Sequence, residues 1–384
     1  MLSKKLSILR RRRLWVLVPA RAVRGPQWKA LPITRKRVSV SVFKNVIVYR
    51  IEPSWSQTST QAEEALGANR FVACGPSQEK SAGWTEPRGQ ENGPLVESIG
   101  GQWLLEYMIE SKALPASVIR RKVEERAAQI EATTGRKPGK KEKRDLKEDV
   151  THALLPLAFT KHARIMVWID PVERRLVVNA SNVSRADEVV TSLVQCLEGF
   201  AVALLQTQTE PAAAMSEWLS SQEPPAGFTI DRECELRASD ESKSVVRYAK
   251  HALDIDEVRQ HIADGKRPTR LAMTWDDRVS FELTDAMVIR KIVFIEGTDS
   301  AVANKSGGKE DNFDADAAIA TGELGQLVPE LLEALGGEMR LGASAVDAAN
   351  DTAAKLKEAP GGKSTGASTN GPTAEQLADE SAPF

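Results

Sequence analysis

The sequence predicts an α+β protein of several lobes built on antiparallel sheets. Three observations carry this. Leu271–Ile295, "LAMTWDDRVSFELTDAMVIRKIVFI", reads as a three-strand meander with turns at Asp276–Asp277 and Asp285. The region from Ser117 to Leu155 holds two runs of apolar residues at helical spacing, joined by "GRKPG", which predicts a helical hairpin. Strand pairs alternate with helices through short antiparallel connections, the arrangement of a multi-lobed α+β chain.

Each element has its own signal. Val42–Ile51 is β-branched and aromatic, with Phe43, Asn45, Ile47, Tyr49 and Ile51 alternating against Val42, Lys44, Val46, Val48 and Arg50, and predicts a strand. Glu52–Gly100 is poorly periodic, and "FVACGPSQEKSAGWTEPRG" reads as a strand end and a loop whose Trp84 plugs a core edge. Ser117–Glu131 spaces Ile119, Val123, Ala127 and Ile130 as a helix, with Ser117 as N-cap. A second helix, roughly Glu142–Leu155, lines up Leu146, Val150, Ala153, Leu154 and Leu157 until Pro156 bends it. Ile165–Ala180 predicts two short strands that turn near Asp170–Pro171. Ser184 is the expected cap of a helix carrying Ala186, Val189, Val190, Leu193, Val194 and Leu197. A last helix carries Leu324, Leu327, Val328, Leu331, Leu332 and Leu335, and Gly336–Gly337 stop it. Trp168, Trp275 and Phe281 read as plain core residues on strands.

A chain of 384 residues supports two or three domains. Its net charge of −1 hides an uneven distribution: Met1–Arg50 contains no Asp or Glu, and its first 41 residues supply twelve Lys and Arg. Removing those twelve leaves about −13 for the remainder, so the body is acidic and any basic surface on it is local. Residues 1–41 read as a flexible basic arm or as translation upstream of the natural start; a secretory or organellar leader is the competing reading. Residues 341–384, rich in Ala, Gly, Ser, Thr and Pro, are expected to be disordered. Cys74, Cys196 and Cys234 are widely spaced and form no C-x-x-C, which fits a reducing cytoplasm. No run of 18 apolar residues predicts a membrane span.

Signatures of catalysis fail on spacing. "GGK" at Gly307–Lys309 has Ala303 where a phosphate-binding loop needs its first Gly. "DNFDAD" at Asp311–Asp316 lacks the central Gly and the distal Glu of a calcium loop. His152, His162, His251 and His261 are not spaced as ligands on one helix face. The expectation is no catalytic residue, no metal site and no cofactor.

What stands out is "GRKPGKKEKRDLKEDV", with seven Lys or Arg from Arg136 to Lys147 against two acids. One reading is a solvated face, in which Glu142, Asp145, Glu148 and Asp149 pair with neighbouring cations. The other is a phosphate-binding surface, favoured by the contrast with an acidic body, because displacing counterions from a polyanion rewards clustered charge. No recognition helix or aromatic platform accompanies the cluster, so binding would follow the backbone and ignore sequence. The candidate residues are Arg136, Lys137, Lys140, Lys141, Lys143, Arg144 and Lys147, then Arg120, Arg121 and Lys122 on the preceding helix.

From about Val42 to Glu338 the chain resembles the RdgC family of bacterial recombination-associated proteins. The matching pieces are "FKNVIVYR", "FVACGPSQEKSAGW", "GRKPGKKEKRDLKEDV", "LLPLAF" followed by "WID", "LAMTWDDRVSFEL" and "DADAAIATGELGQLVPELLEALGGE", in that order. The resemblance implies a non-enzymatic protein that binds double- and single-stranded DNA with little sequence preference, associates with the nucleoid, and restrains RecA by occupying DNA. It implies a curved monomer of centre, tip and base that closes with a twin into a ring around duplex DNA. The expected division is 42–115 as β-rich centre and base, 116–164 as the tip hairpin, and 165–340 completing centre and base. Phe159 matches a position at one seam of the ring; the alternative is a core residue on the second hairpin helix. Lys250 and His251 fall at the other seam, His251 standing where the best-known member has a Gln. Two other function classes compete: a regulator that grasps RecA itself, and a nuclease.

Overall fold

The computed structural model describes residues 37–38, 42–295 and 309–339. The expectations for the tail, and for the N-terminal arm apart from Arg37–Val38, lie outside the described residues. In chain order the elements are β1 Arg37–Val38, β2 Ile47–Ile51, α1 Ser59–Gly67, β3 Lys80–Thr85, β4 Glu97–Ile99, β5 Gln102–Ala113, α2 Ala116–Thr134 and α3 Lys140–Leu154. A 3-10 turn at Leu155–Leu157 leads into β6 Phe159–Asp170, β7 Arg175–Val178, α4 Val183–Cys196, β8 Val202–Leu204 and α5 Pro211–Ser221. The chain continues through β9 Phe228–Ala238, β10 Val245–Ala249, α6 Asp256–Ala263, β11 Lys266–Trp275, β12 Val279–Thr284, β13 Ile289–Ile295 and α7 Lys309–Ala334.

The fold is α+β with two antiparallel sheets. One is seven-stranded in the order β3-β5-β6-β7-β2-β8, with β4 also pairing with β5; the other is six-stranded, β1-β13-β12-β11-β9-β10. The meander predicted at Leu271–Ile295 is present as β11 to β13, preceded by five further residues of β11. The turn at Asp276–Asp277 puts both residues at positive φ, which short polar side chains tolerate better than branched ones.

Packing explains why the strands read as they do. Ile47, Tyr49, Leu105, Tyr107, Val167 and Ile169 bury one face of the seven-stranded sheet against Ala62 and Leu66 of α1 and Ala186, Val189 and Leu193 of α4. Its opposite face, through Val48, Leu104, Trp168 and Val177, shares a second core with Leu271, Met273 and Phe281 of the six-stranded sheet and Leu324, Leu327 and Leu331 of α7. Central strands covered on both sides lose the alternation of a half-exposed strand. Trp84, Trp168, Trp275 and Phe281 are each at most 2% exposed. All three of these indoles satisfy their N–H groups: Trp84 donates to Ser192 Oγ at 3.1 Å, Trp168 to Gln102 Oε1 at 2.7 Å and Trp275 to Glu330 Oε2 at 2.6 Å.

Several boundaries depart from expectation. The strand expected over Val42–Ile51 begins at Ile47, because Lys44 and Asn45 are held in a turn by Asn179 Oδ1, 3.1 and 3.2 Å from their N–H groups. Ser117 lies inside α2, whose N-cap is Pro115, and Asn182 rather than Ser184 caps α4, accepting from the Arg185 N–H at 3.0 Å. Helix α1 lies in the stretch read as aperiodic. It buries only Ala62 and Leu66, and a capping box between Thr58 and Gln61 fixes its start. On the second hairpin helix Val150 is buried, but Ala153 and Leu157 face solvent, since the 3-10 turn at Pro156 breaks the stripe. Phe159 is not a core residue of that helix: it opens β6 and is 87% exposed.

Candidate nucleic-acid interface

Strands β5 and β6 form a ribbon with register from Trp103↔Ile169 to Ala113↔Phe159. The α2–α3 pair is inserted at the end of that ribbon, so both of its connections leave from one rung. Pro115, at φ −60° and ψ 129°, turns the chain out of β5 without a side-chain cap. Gly135 ends α2 at φ +70°, a left-handed cap whose N–H donates to Glu131 O at 2.9 Å. Glu142 Oε2 then accepts from the Gly139 N–H at 3.3 Å and fixes the first turn of α3.

The two helices pack on each other. No residue of α2 is buried and only Val150 of α3 is, so most of the pair's surface meets solvent. Residues 116–157 carry eleven Lys and Arg against seven Asp and Glu.

The ten predicted cations divide into two sets. Arg121 and Lys122 share Glu125, at 3.8 and 2.7 Å; Arg136 meets Glu142 at 3.0 Å, Lys137 Glu131 at 3.9 Å, and Arg144 Glu148 at 3.5 Å. The Lys122 hydrogen bond holds the Glu125 carboxyl below the usual range. Arg120, Lys140, Lys141, Lys143 and Lys147 are exposed and make no ion pair among the described residues. About half of the charge run is thus a paired solvated face, and the rest has no carboxylate partner among the described residues. The Arg120–Lys122 group is not gathered with the turn, lying about 24 Å from Arg136 along α2 at 1.5 Å per residue.

Two cations escaped the sequence reading. Arg126, one helical turn beyond Lys122, and Lys161 on β6 are both exposed and without an ion pair among the described residues. Helical spacing from Lys122 was the available signal for Arg126. Lys161 carries no such signal until β6 is known to begin at Phe159.

Elsewhere, several cations are already neutralised. On the six-stranded sheet Glu235, 3% exposed, lies 3.4 Å from Arg237, 2.5 Å from Arg247 and 3.9 Å from Arg270. Lys291 bridges Glu233 at 3.2 Å and Glu282 at 2.6 Å. On the ribbon, Glu110 accepts from the Cys74 N–H at 2.6 Å and lies 3.2 Å from His162 Nε2, contacts that pull its pKa down. Glu106 behaves oppositely: burial pushes its carboxyl up to about 7 although Arg164 sits 3.1 Å away. Burial also pushes the Cys74 thiol up, and that of Cys234 up to about 12, so neither is poised as a thiolate.

The remaining candidates lie on different sheets. Phe159 is at the ribbon's end, with Leu157, 79% exposed, beside it in sequence. Lys250 follows β10, an edge strand of the six-stranded sheet, at φ +55°. His251 is exposed, and its Nδ1 lies 2.8 Å from Ala252 O, which makes it the protonated ring nitrogen. Among the described residues no group of three or more His, Cys, Asp or Glu is arranged to hold a metal ion, and no helix is long and apolar enough to cross a membrane.

The family model described as "Putative exonuclease, RdgC" matches residues 42–338. A "Recombination-associated protein RdgC" from Dechloromonas aromatica (strain RCB) is 42% identical over 300 residues, 77% of this chain and 98% of the relative. Proteins with the same description from Cupriavidus pinatubonensis and Bordetella pertussis are 41% and 42% identical, each covered over 99% of its length and over 78% of this chain. The similarity thus runs the full length of these relatives.

Proposed function

Because this chain belongs to the RdgC family of recombination-associated proteins, we propose that it binds DNA through its backbone, without sequence preference, and restrains RecA-dependent recombination by occupying DNA. The observation that carries the reading is the row Lys140, Lys141, Lys143 and Lys147 on α3, four exposed cations with no carboxylate partner among the described residues. A solvated face balances its charges. Four uncommitted lysines beside paired arginines leave local charge that a polyanion neutralises, and the released counterions drive binding.

In this reading the α2–α3 pair is the basic hairpin at the tip, and two copies join into a ring that encircles duplex DNA. Exposed Phe159 forms one seam and Lys250 with His251 the other, while residues 165–340 complete centre and base. The protein acts in the cytoplasm on the nucleoid, takes double- or single-stranded DNA, and is not an enzyme.

The test is a titration of DNA binding against salt, in the absence of RecA. Replacing Lys140, Lys141, Lys143 and Lys147 by Ala should weaken binding alike on unrelated sequences. It should also flatten log K against log salt by up to ~0.9 for each phosphate that is no longer neutralised. An unchanged slope removes the assignment; failure of the parent protein to bind DNA without RecA favours a regulator that grasps the recombinase. The family description supplies a second reading, an exonuclease. Shortening of end-labelled DNA in the presence of magnesium or manganese by purified protein would establish it, and intact DNA supports binding alone.

A further inference from the structure

Away from the α2–α3 pair, the six-stranded sheet ends on β10, Val245–Ala249, whose outer side meets no strand among the described residues. The Ala238 N–H donates to Ser244 O at 2.9 Å, so Ser244 and, by the alternation of an antiparallel ladder, Val246 and Tyr248 bond inward to β9. The N–H and C=O groups of Val245, Arg247 and Ala249 therefore point out from the edge, and all three residues are exposed.

An edge strand invites pairing unless proline, an uncompensated charge or a bulge guards it. Over its five residues β10 has no such guard: it contains no Pro, and its register with β9 runs unbroken. Val245 is 49% exposed, and the one charge, Arg247, is tied back to Glu235, Nε to Oε2 at 3.1 Å. The two ends of the strand differ in sign. The turn before it carries Asp240 and Glu241 against Lys243, and the residue after it is Lys250. Glu241 and Lys250 are both exposed and make no ion pair among the described residues. A strand that is acidic at its start and basic at its end complements an antiparallel copy of itself, and not a parallel one.

We propose that β10 pairs antiparallel with β10 of a second copy about a two-fold axis at Arg247, joining the two six-stranded sheets into one continuous sheet. The proposal rests on the reading of Lys250 and His251 as a seam, and it supplies what holds that seam: main-chain hydrogen bonds. Val245 then faces Ala249 of the second copy and Arg247 faces its own counterpart, each such pair exchanging N–H···O bonds. Facing arginines repel, but each of these is neutralised by its own Glu235. On the other face of the sheet Val246 falls opposite Tyr248 of the second copy, a β-branched side chain against an aromatic ring. Lys250 falls opposite Ser244, beside the turn that carries Glu241.

The experiment is sedimentation of the full chain, with Val245→Pro as the variant. The N–H it removes points outward, and an edge strand accepts proline where no ladder bond is lost, so pairing with β9 stays and the circular dichroism should match the parent. Self-association should weaken roughly tenfold or more, as outward main-chain hydrogen bonds are lost at the seam. Arg247→Cys checks the register without proline. Cα atoms of a hydrogen-bonded antiparallel pair lie about 5.5 Å apart, within disulfide reach, so two copies should cross-link under mild oxidation, whereas Val245→Cys should not. Equal cross-linking at the two positions, or unchanged self-association in Val245→Pro, overturns the strand pairing and leaves a seam built some other way. A parent that stays monomeric at every concentration overturns the pairing and the seam together, while DNA binding by the hairpin is read independently in the salt titration.

Discussion

Two carboxylates on one strand show how far local surroundings decide a residue's behaviour. Glu106 and Glu110 both belong to β5 and both meet a nitrogen-bearing side chain of β6, the Arg164 guanidinium and the His162 imidazole. Glu110 gains a backbone N–H from Cys74, and its charged form is favoured. Glu106 has no such donor, and desolvation outweighs Arg164, lifting it from an ordinary value near 4.5 to about 7. The consequences for stability have opposite signs. Between about pH 4.5 and 7 the unfolded chain releases the Glu106 proton that the folded chain keeps, so this group makes the fold less stable as pH rises through that window. Glu110 adds stability above its unfolded pKa, which disappears as pH falls towards its depressed folded value. Glu106→Gln should accordingly gain melting temperature relative to the parent as pH rises from 4.5 to 7, with a constant difference outside that range. A difference that does not vary with pH would show that folding leaves the Glu106 pKa at its unfolded value.

At the scale of elements, the α2–α3 pair and the ribbon beneath it contrast in packing. Strand β5 has eight consecutive buried residues from Trp103 to Glu110, whereas α2 has none. Local opening free energy follows buried apolar contact, so the amides of α2 should exchange with deuterium well before those of β5, under conditions where the ribbon stays protected. Equal protection would mean the pair is covered by something beyond its own two helices. The same contrast explains what was legible in the sequence. Helices α4 and α7 and the β11–β13 meander were readable because one face meets a core and imposes its period. Helix α1 was not, since two buried residues set no period, and the Thr58–Gln61 box lay in a stretch dominated by Gly and Pro. The basic residues of the candidate site were legible by composition alone. Their partners were not, because which lysines stay unpaired depends on helix register: Arg144 reaches Glu148 one turn on, while Lys143 has Lys147 at that position.

For the whole molecule, the shared core fixes how the two candidate seams stand apart. Trp168 of β6 packs in the same cluster as Leu271 and Phe281, with α7 contributing Leu324 and Leu331, so the two sheets form one body. Phe159 lies at the far end of β6 from Trp168, and Lys250 follows an edge strand of the other sheet. Contacts at both ends would be required for closure around DNA, and that makes the state of Phe159 decisive. At 87% exposure its ring contributes little to the single chain, so Phe159→Ala should alter monomer stability by no more than about 0.5 kcal/mol. In an interface the same ring would bury roughly 1.5–3 kcal/mol of apolar surface, and its removal would weaken self-association by roughly ten- to a hundredfold. Sedimentation of parent and variant across a concentration series separates the two. Dissociation to monomer at an unchanged melting temperature places Phe159 in the seam; dimers that persist in the variant would move the seam elsewhere, and the ring would lack the contact on which its closure at the tip depends.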